Sequence, residues 1–527
     1  MKKRIIALSF ALFSFGIMNV IYGQTAPDAK IVNWYNGKNP GMNTEKAYAA
    51  LKNNKSTTVI VAVIDSGIDI EHKDLQGKIW VNEDEIPNNG IDDDKNGYID
   101  DVHGWSFLGS SNGTNQQYAR LEKTRLLASL SNRFYGKESG QIAAADRADY
   151  DLFVKLQKEI KQELEESTAN LNYYKQLKDM LPGAKKEIEA KIGANFTVED
   201  VKKWTPASDK EAKLKRIANG IATGQLTIEA LNEGIAHFEA QVNYQLNTSY
   251  NDREFIGDNA DDMNDIHYGS NDVEGPDALH GTHVGGIIGS IRGNNLGGDG
   301  VCDNVKLMSL RAVPDGDEQD KDIALAIRYA VDNGAQIINM SFGKSYSMHQ
   351  KEVYEAFAYA DSKGVLLIHA AGNDAANVDA TDNFPTSAYS FQTKKLNHYL
   401  TIGASTKYAK GLLAADFSNY GKTKVDVFAP GYEIYNSVPQ SDYQTLAGTS
   451  MASPMVAGAA AFLKSYFPSL SMAQIKEVLL KSAKSYKGAK VNLPGTEEKV
   501  DFADLSVTGA VIDLAAAVKL CKSLTSK

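Results

Sequence analysis

Short unbroken apolar runs recur along this chain, and β-branched residues dominate them. Residues 57–64 read TTVIVAVI, and runs of the same kind follow at 305–313, 337–341, 365–370 and 400–403. A strand without polar alternation is one covered on both faces, as in a parallel sheet. Stretches of helical period lie between or after several of them, at 280–291, 320–333, 351–363 and 449–466. Strands alternating with helices predict an α/β fold built on a doubly wound, mostly parallel sheet. In such sheets functional residues gather at the carboxyl ends of the strands.

A block of different character interrupts this pattern at 112–251, rich in Lys, Glu, Ala and Gln. Leu152, Leu156, Ile160, Leu164, Leu171, Tyr174 and Leu181 form one apolar stripe. Ile228, Leu231, Ile235, Phe238, Val242 and Leu246 form a second. Spacings of three and four residues make both stripes helical. Pro182 and Gly183 are expected to stop the first helix. Two such helices that return on themselves predict an inserted α-helical hairpin, with the stripes serving as its own glue.

The chain opens on Lys2, Lys3 and Arg4, continues apolar over 5–21, and reaches small Gly23 before polar Gln24. That is the pattern of a cleaved secretory signal peptide, and it predicts a secreted or periplasmic protein, with attachment to the cell surface left open. No later segment is apolar for long enough to span a membrane, so the mature chain is expected to have no transmembrane segment. The expected organisation is therefore 1–23, signal peptide; 24–111, first part of the sheet domain with an aspartate-rich loop; 112–251, helical insertion; and 252–527, second part of the sheet domain.

Composition narrows the function classes. The 527 residues are 43% apolar, enough for one large core and a second substructure. A net charge of -10 without a basic run argues against nucleic acid as a partner. Cys302 and Cys521 are the two cysteines, which excludes a disulfide-stapled scaffold and leaves one bridge or, as expected here, two buried thiols.

Candidate chemistry lies where strands end and helices begin. Ser450 stands in Gly448-Thr449-Ser450-Met451-Ala452-Ser453-Pro454, followed by small residues. A glycine before the serine permits a tight turn into a helix, and small residues let that helix lie close to the sheet. Pro454 near the helix start costs little, because early N–H groups lack helical partners. His280 opens the run HGTHVGG at 280–286, and Asp65 ends the first apolar run. A carboxylate at a buried strand end needs a hydrogen-bond donor, and an imidazole N–H is a natural one. Asn373, at the end of AAGN after another buried strand, is placed to donate its amide to an oxyanion beside the backbone N–H of Ser450.

VIDSG at 63–67, HGTHVGG at 280–286, AAGN at 370–373 and GTSMASP at 448–454 resemble, in order, the four signature segments of the subtilisin-like serine proteases. The resemblance covers about 31–108 and 253–522. It implies a serine endopeptidase acting on protein or peptide substrates, with Asp65, His280 and Ser450 as catalytic triad and Asn373 as oxyanion donor. It makes His283 a structural helix residue. It also implies that Ser341, Phe342 and Gly343 form one wall of the primary substrate pocket and Ala370, Ala371 and Gly372 the other, with substrate added as a strand at an exposed edge. The chain departs from the pattern in three places. Asp65 and His280 stand 215 residues apart, Met455 replaces a histidine common in relatives, and the short lead before the first strand leaves no room for a propeptide of the usual size.

The segment 89–101 places oxygen ligands as calcium requires, with Asp92, Asp94 and Asn96 alternating, Gly97 at the turn, a Tyr98 carbonyl and then Asp100. An EF-hand glutamate is missing, because His103 occupies its place. Similar loops occur in larger subtilases, and structural Ca2+ is the expected cofactor. For a second acidic stretch, Asp258, Asp261, Asp262, Asp265 and Asp272, the sequence leaves a metal role open. The alternative to an enzyme is a catalytically inactive calcium-binding scaffold or adhesion protein on a subtilase fold, against which the four intact positions argue. An ester or lipid acyl hydrolase is opposed by the Asp, His, Ser chain order.

Overall fold

The computed structural model describes residues 31–526, so the signal peptide read at 1–23 lies outside the described residues. The chain divides into two compact units. Of the described residues, the first comprises 31–117, 253–314 and 318–526, and the second comprises Tyr118–Asp252 with Asp315–Asp317.

In chain order the first unit begins with α1 (Thr44–Ala50), β1 (Val59–Asp65) and β2 (Gly104–Ser106). The second unit supplies α2 (Glu122–Phe134), α3 (Arg147–Ile192), α4 (Val198–Lys203), α5 (Asp209–Ala222) and α6 (Ile228–Ala240). The first unit then resumes with α7 (Leu279–Gly289), β3 (Val305–Arg311), α8 (Asp320–Asp332), β4 (Ile337–Met340), α9 (Gln350–Ser362), β5 (Leu366–Ala370) and β6 (Tyr399–Ser405). It closes with β7 (Val427–Pro430), β8 (Ile434–Val438), β9 (Asp442–Leu446), α10 (Thr449–Tyr466), α11 (Met472–Ser482), β10 (Lys484–Ser485), β11 (Lys490–Asn492), β12 (Lys499–Asp501), β13 (Ala510–Val511) and α12 (Leu514–Thr525).

Nine strands form one sheet in the order β10-β13-β7-β6-β5-β4-β1-β3-β2. All its pairings are parallel except β10 with β13. The apolar runs are strands because both of their faces are covered. Val59, Val61 and Val63 of β1 lie in one core with Val284 and Ile287 of α7 and Ala452 and Val456 of α10. Ala62 and Ile64 lie in the other, with Ile323 and Ile327 of α8 and Ala356 and Phe357 of α9. Each fully buried Val or Ile there stabilises by roughly 1.5–3 kcal/mol. The small-residue run of α10 lets it approach closely, since a Cβ on Gly458 would stand 2.7 Å from Val301 Cβ. Chain order reverses at β1, flanked by β3 and β4, and this opens a crevice outside its carboxyl end.

The second unit is helical among its described residues. Helix α3 runs 46 residues straight through Pro182, which corrects the expectation that Pro182 and Gly183 would stop it. Both residues are exposed, and Lys178, whose carbonyl the proline deprives of a partner, is half-buried. Leu181, Ala184 and Ile188 meanwhile hold the helix on its buried side. Helices α3 and α6 run antiparallel, with Lys175 Nζ 2.7 Å from Glu239 Oε1 and Ser167 Oγ 2.7 Å from Gln241 Oε1. The Tyr174 ring covers Gly234. Along the stripes Leu156, Ile160, Leu171, Leu181, Leu231 and Leu246 are buried, whereas Phe153 takes the interior place expected for Leu152. Residues 112–117 belong to the first unit, where Arg311 binds Asn115 Oδ1 at 3.2 Å. No helix among the described residues is long and apolar enough to cross a membrane.

Candidate active site

Three strand ends and two helix starts supply the site. Asp65 ends β1 and is 1% exposed. His280 lies in the first turn of α7, and its Nδ1 is 2.6 Å from Asp65 Oδ1. The same oxygen accepts the Ser66 N–H at 2.8 Å, while Asp65 Oδ2 is buried without a hydrogen-bond partner among the described residues. Close approach of α7 depends on Gly281, whose added Cβ would stand 2.1 Å from Gly67 O. Burial pulls the His280 pKa down, but the Asp65 carboxylate and its hydrogen bond outweigh that, and the net shift is upward. In the neutral ring the Nδ1 proton donates to Asp65, leaving Nε2 as the basic nitrogen.

Ser450 is in the first turn of α10, capped by Gly448. Its N–H has no partner within the helix, as for any residue at such a start. Its Oγ donates to the Ser341 carbonyl at 3.1 Å, and the Ser341 Oγ donates to the Ser450 carbonyl at 3.0 Å. Ser341 follows β4, which lies beside β1 with Met340 opposite Ile64, so the serine is held next to the strand end that carries Asp65. The Ser450 hydroxyl thus rests on Ser341 rather than on His280.

Asn373 follows β5. Its Oδ1 accepts from Thr449 N at 2.8 Å and Thr449 Oγ1 at 2.9 Å, which orients the amide so that Nδ2 is left to donate. A Cβ placed on Gly448 would stand 3.5 Å from both Asn373 Nδ2 and Ser450 N. The two N–H groups therefore lie within 3.5 Å of one common point.

Residues 341–343 and 370–372, the expected walls, lie at the ends of β4 and β5. The Phe342 carbonyl accepts from His369 Nε2 at 2.7 Å. Ala370 and Ala371 are buried, and Gly372, at φ +99°, donates its N–H to Thr449 Oγ1 at 3.0 Å. Asn383 links the two walls, with Nδ2 donating to Ala371 O at 3.0 Å and Oδ1 beside Gly343. His283 takes no part in this cleft. Its Nε2 lies 3.1 Å from Ile434 O and 3.2 Å from Gln444 O, tying α7 to β8 and β9, and burial pushes its pKa down to about 3.

In the aspartate-rich loop, carboxylate oxygens of Glu85, Asp92 and Asp94 lie within 4.8 Å of one another. An all-oxygen, anionic donor set of this kind fits a hard divalent cation such as calcium. Glu85 is buried, and burial raises its pKa although it accepts the N–H groups of Asp93 and Asp94. The sequence reading missed it, because it lies outside the regular ligand spacing. The Asp100 oxygens instead accept from Asn89 N at 3.0 Å and Gly90 N at 2.9 Å, and the Asn96 amide oxygen accepts from Tyr98 N. The Tyr98 ring packs edge-on against Trp105 and Tyr329.

The second acidic stretch already contains a cation. Lys321 is buried with Nζ 2.8 Å from Asp258 Oδ2, 2.8 Å from Asn259 O and 3.8 Å from Asp265 Oδ2. Arg253 adds bonds to Asp258 and Asp322. A fixed ammonium and guanidinium neutralise these carboxylates where a metal role had been left open. Cys302 and Cys521 are both free and buried.

Comparison with known proteins places these residues in a lineage. The thermophilic serine proteinase of Bacillus sp. (strain AK1) is 38% identical over 187 residues, 35% of this chain and 42% of that protein. Subtilisin DY of Bacillus licheniformis is 35% identical over 207 residues, 39% of this chain and 70% of that protein. The cell wall-associated protease of Bacillus subtilis (strain 168) is 33% identical over 239 residues, 45% of this chain but 24% of that protein. The matched region thus spans less than half the length of the first and third of these relatives. The model of the subtilase family matches residues 56–501, from the strand that carries Asp65 past the helix that carries Ser450. With most of its length inside that match, the chain belongs to the subtilase family.

Proposed function

We propose that this chain is a secreted serine endopeptidase that cleaves peptide bonds through an acyl-enzyme on Ser450. One observation carries the reading: a buried carboxylate bonded at 2.6 Å to His280, on the strand beside the one whose end grips Ser450. Substrate backbone lies along 341–343 and 370–372, where main-chain hydrogen bonds hold it. An incoming substrate N–H takes over the Ser341 carbonyl, and Ser450 Oγ turns about χ1 into the well that faces His280 Nε2. As Oγ attacks the scissile carbonyl carbon, its proton passes to Nε2, and Asp65 stabilises the imidazolium. The carbonyl oxygen takes up the electron pair and is met by Asn373 Nδ2 and the Ser450 N–H. Collapse breaks the C–N bond, and the amine leaves with the proton from Nε2. Water, deprotonated at the same nitrogen, then releases the acyl group and restores the serine.

Structural calcium belongs to this reading. Glu85, Asp92 and Asp94 would hold it, and its charge would offset the mutual repulsion of three carboxylates, one of them buried. Export follows from the leader at 1–23. The test compares the wild type with Ser450→Ala on a peptide library and with a fluorophosphonate label. The variant is expected to lose at least ~10⁴-fold in kcat/KM and all labelling. Retained cleavage or labelling by the variant sinks the reading.

A further inference from the structure

Ser450 sits four residues before Pro454, and that spacing removes something from the helix. The Ser450 carbonyl is due a hydrogen bond from the N–H of residue 454, and proline has none. The first turn of α10 is thus short of a donor at the residue that must be held most accurately. Ser341 Oγ supplies it at 3.0 Å.

What keeps that hydroxyl aimed is Asn339. It lies on β4, opposite Val63 of β1 and Ile368 of β5, and is fully buried on the apolar face that α10 covers. Its Nδ2 donates to Ser341 Oγ at 2.9 Å, and its Oδ1 accepts from Ser453 Oγ at 2.8 Å. A hydroxyl has one proton. That of Ser341 is spent on the Ser450 carbonyl, so its oxygen must receive one, and an amide nitrogen gives it. Ser453 Oγ is 2.8 Å from Asn339 Oδ1 and 3.3 Å from the Ile368 carbonyl, so its proton goes to the nearer acceptor, which favours this orientation of the amide. The bonds run in one direction, from Ser453 through Asn339 and Ser341 to the Ser450 carbonyl. An amide amid aliphatic side chains is costly unless both of its ends are bonded, and here both are.

Resting on the reading of Ser450 as nucleophile, we propose that Asn339 is a positioning residue that, through Ser341, replaces the helical donor missing at Pro454 and fixes the backbone of Ser450. Only a side chain that donates at one end and accepts at the other serves. An ionised aspartate at 339 accepts at both ends, so the Ser341 proton turns toward it and leaves the Ser450 carbonyl unmet. A protonated aspartate donates again and restores the direction of the chain. Leucine does neither at any pH.

The experiment measures kcat and KM against pH for the wild type, Asn339→Asp and Asn339→Leu, with folded enzyme counted by fluorophosphonate titration. Both variants are expected to lose roughly 10- to 100-fold in kcat at alkaline pH, the scale of a misplaced reacting group, with KM little changed. The Asn339→Asp deficit should shrink as pH falls and the buried carboxyl takes up a proton, whereas the Asn339→Leu deficit should stay constant. Adding Pro454→Ala to Asn339→Leu returns the helical N–H and should recover much of the lost kcat. Unchanged kcat in both variants, an Asn339→Asp deficit equal at every pH, or no recovery with Pro454→Ala overturns the proposal. If the position 339 variants do not fold, Ser453→Ala, which frees the amide to turn, must lower kcat, and an unchanged kcat again overturns it. Wild-type activity in Ser450→Ala would instead sink the nucleophile reading beneath it.

Discussion

Replacing His369 by glutamine should make the sheet unit less sensitive to acid, by an amount its burial sets. His369 lies on β5, 1% exposed, and its Nε2 proton is donated to the Phe342 carbonyl. Burial disfavours the imidazolium by more than that bond recovers, and the pKa falls from 6.5 to about 4. Below pH 6.5 the unfolded chain takes up a proton that the folded one refuses. Stability is therefore complete above pH 6.5 and is lost as pH falls toward 4, at about 1.4 kcal/mol per pH unit. At pH 4.5 the loss from this one residue is about 2–3 kcal/mol, a large share of the ~5–15 kcal/mol that holds a domain folded. Glutamine keeps an N–H for the Phe342 carbonyl and does not titrate. Urea unfolding of the sheet unit in a Ser450→Ala background, which prevents self-digestion, gives the comparison. Between pH 7 and pH 4.5 the stability difference should move by about 2–3 kcal/mol in favour of His369→Gln. The acids whose pKa burial raises, Asp101 and Asp426 among them, are common to both proteins and cancel. A difference that stays constant across that interval would refute the assignment of His369 as buried and neutral.

Two further outcomes follow from the site and its loop. Asn373→Ala should lower kcat by ~10²–10³, the range known for loss of one such donor in a subtilisin, with KM near that of the wild type; a loss confined to KM would move Asn373 from the oxyanion to substrate binding. Calcium chelation should lower the melting temperature by roughly 5 °C, and Glu85→Gln should shrink that response. A melt indifferent to chelator in the wild type argues against a cation at Glu85, Asp92 and Asp94.

Much of the fold was legible because a parallel strand announces itself. Residues 57–64 read as one unbroken β-branched run, and Val59–Asp65 is a strand covered on both faces. Helix α10 begins at Thr449 and ends at Tyr466, as its pattern of small and apolar residues implies. What failed was the reading of proline as a stop. Pro182 removes one backbone bond on the exposed side of α3, while buried residues before and after it hold the helix. A rule about local hydrogen bonds cannot see which side of a helix is wet.

The same limit explains which site residues were found. Asp65, His280, Asn373 and Ser450 stand in runs whose order and composition signal them, and the first two are bonded as their chemistry asks. Asn339 carries no such signal, because one asparagine within IINMS looks like an imperfection in a strand. Its meaning depends on Ser341, two residues on, on Ser453, a helix away, and on the proline four residues after Ser450. Read along the chain, Pro454 is harmless, since early helix positions tolerate it. Read in space, it takes a donor from Ser450, and a buried amide on the neighbouring strand is what that vacancy demands. A proline tolerated by the helix therefore places a requirement on the sheet, and a polar residue inside an apolar strand is where to look for the answer.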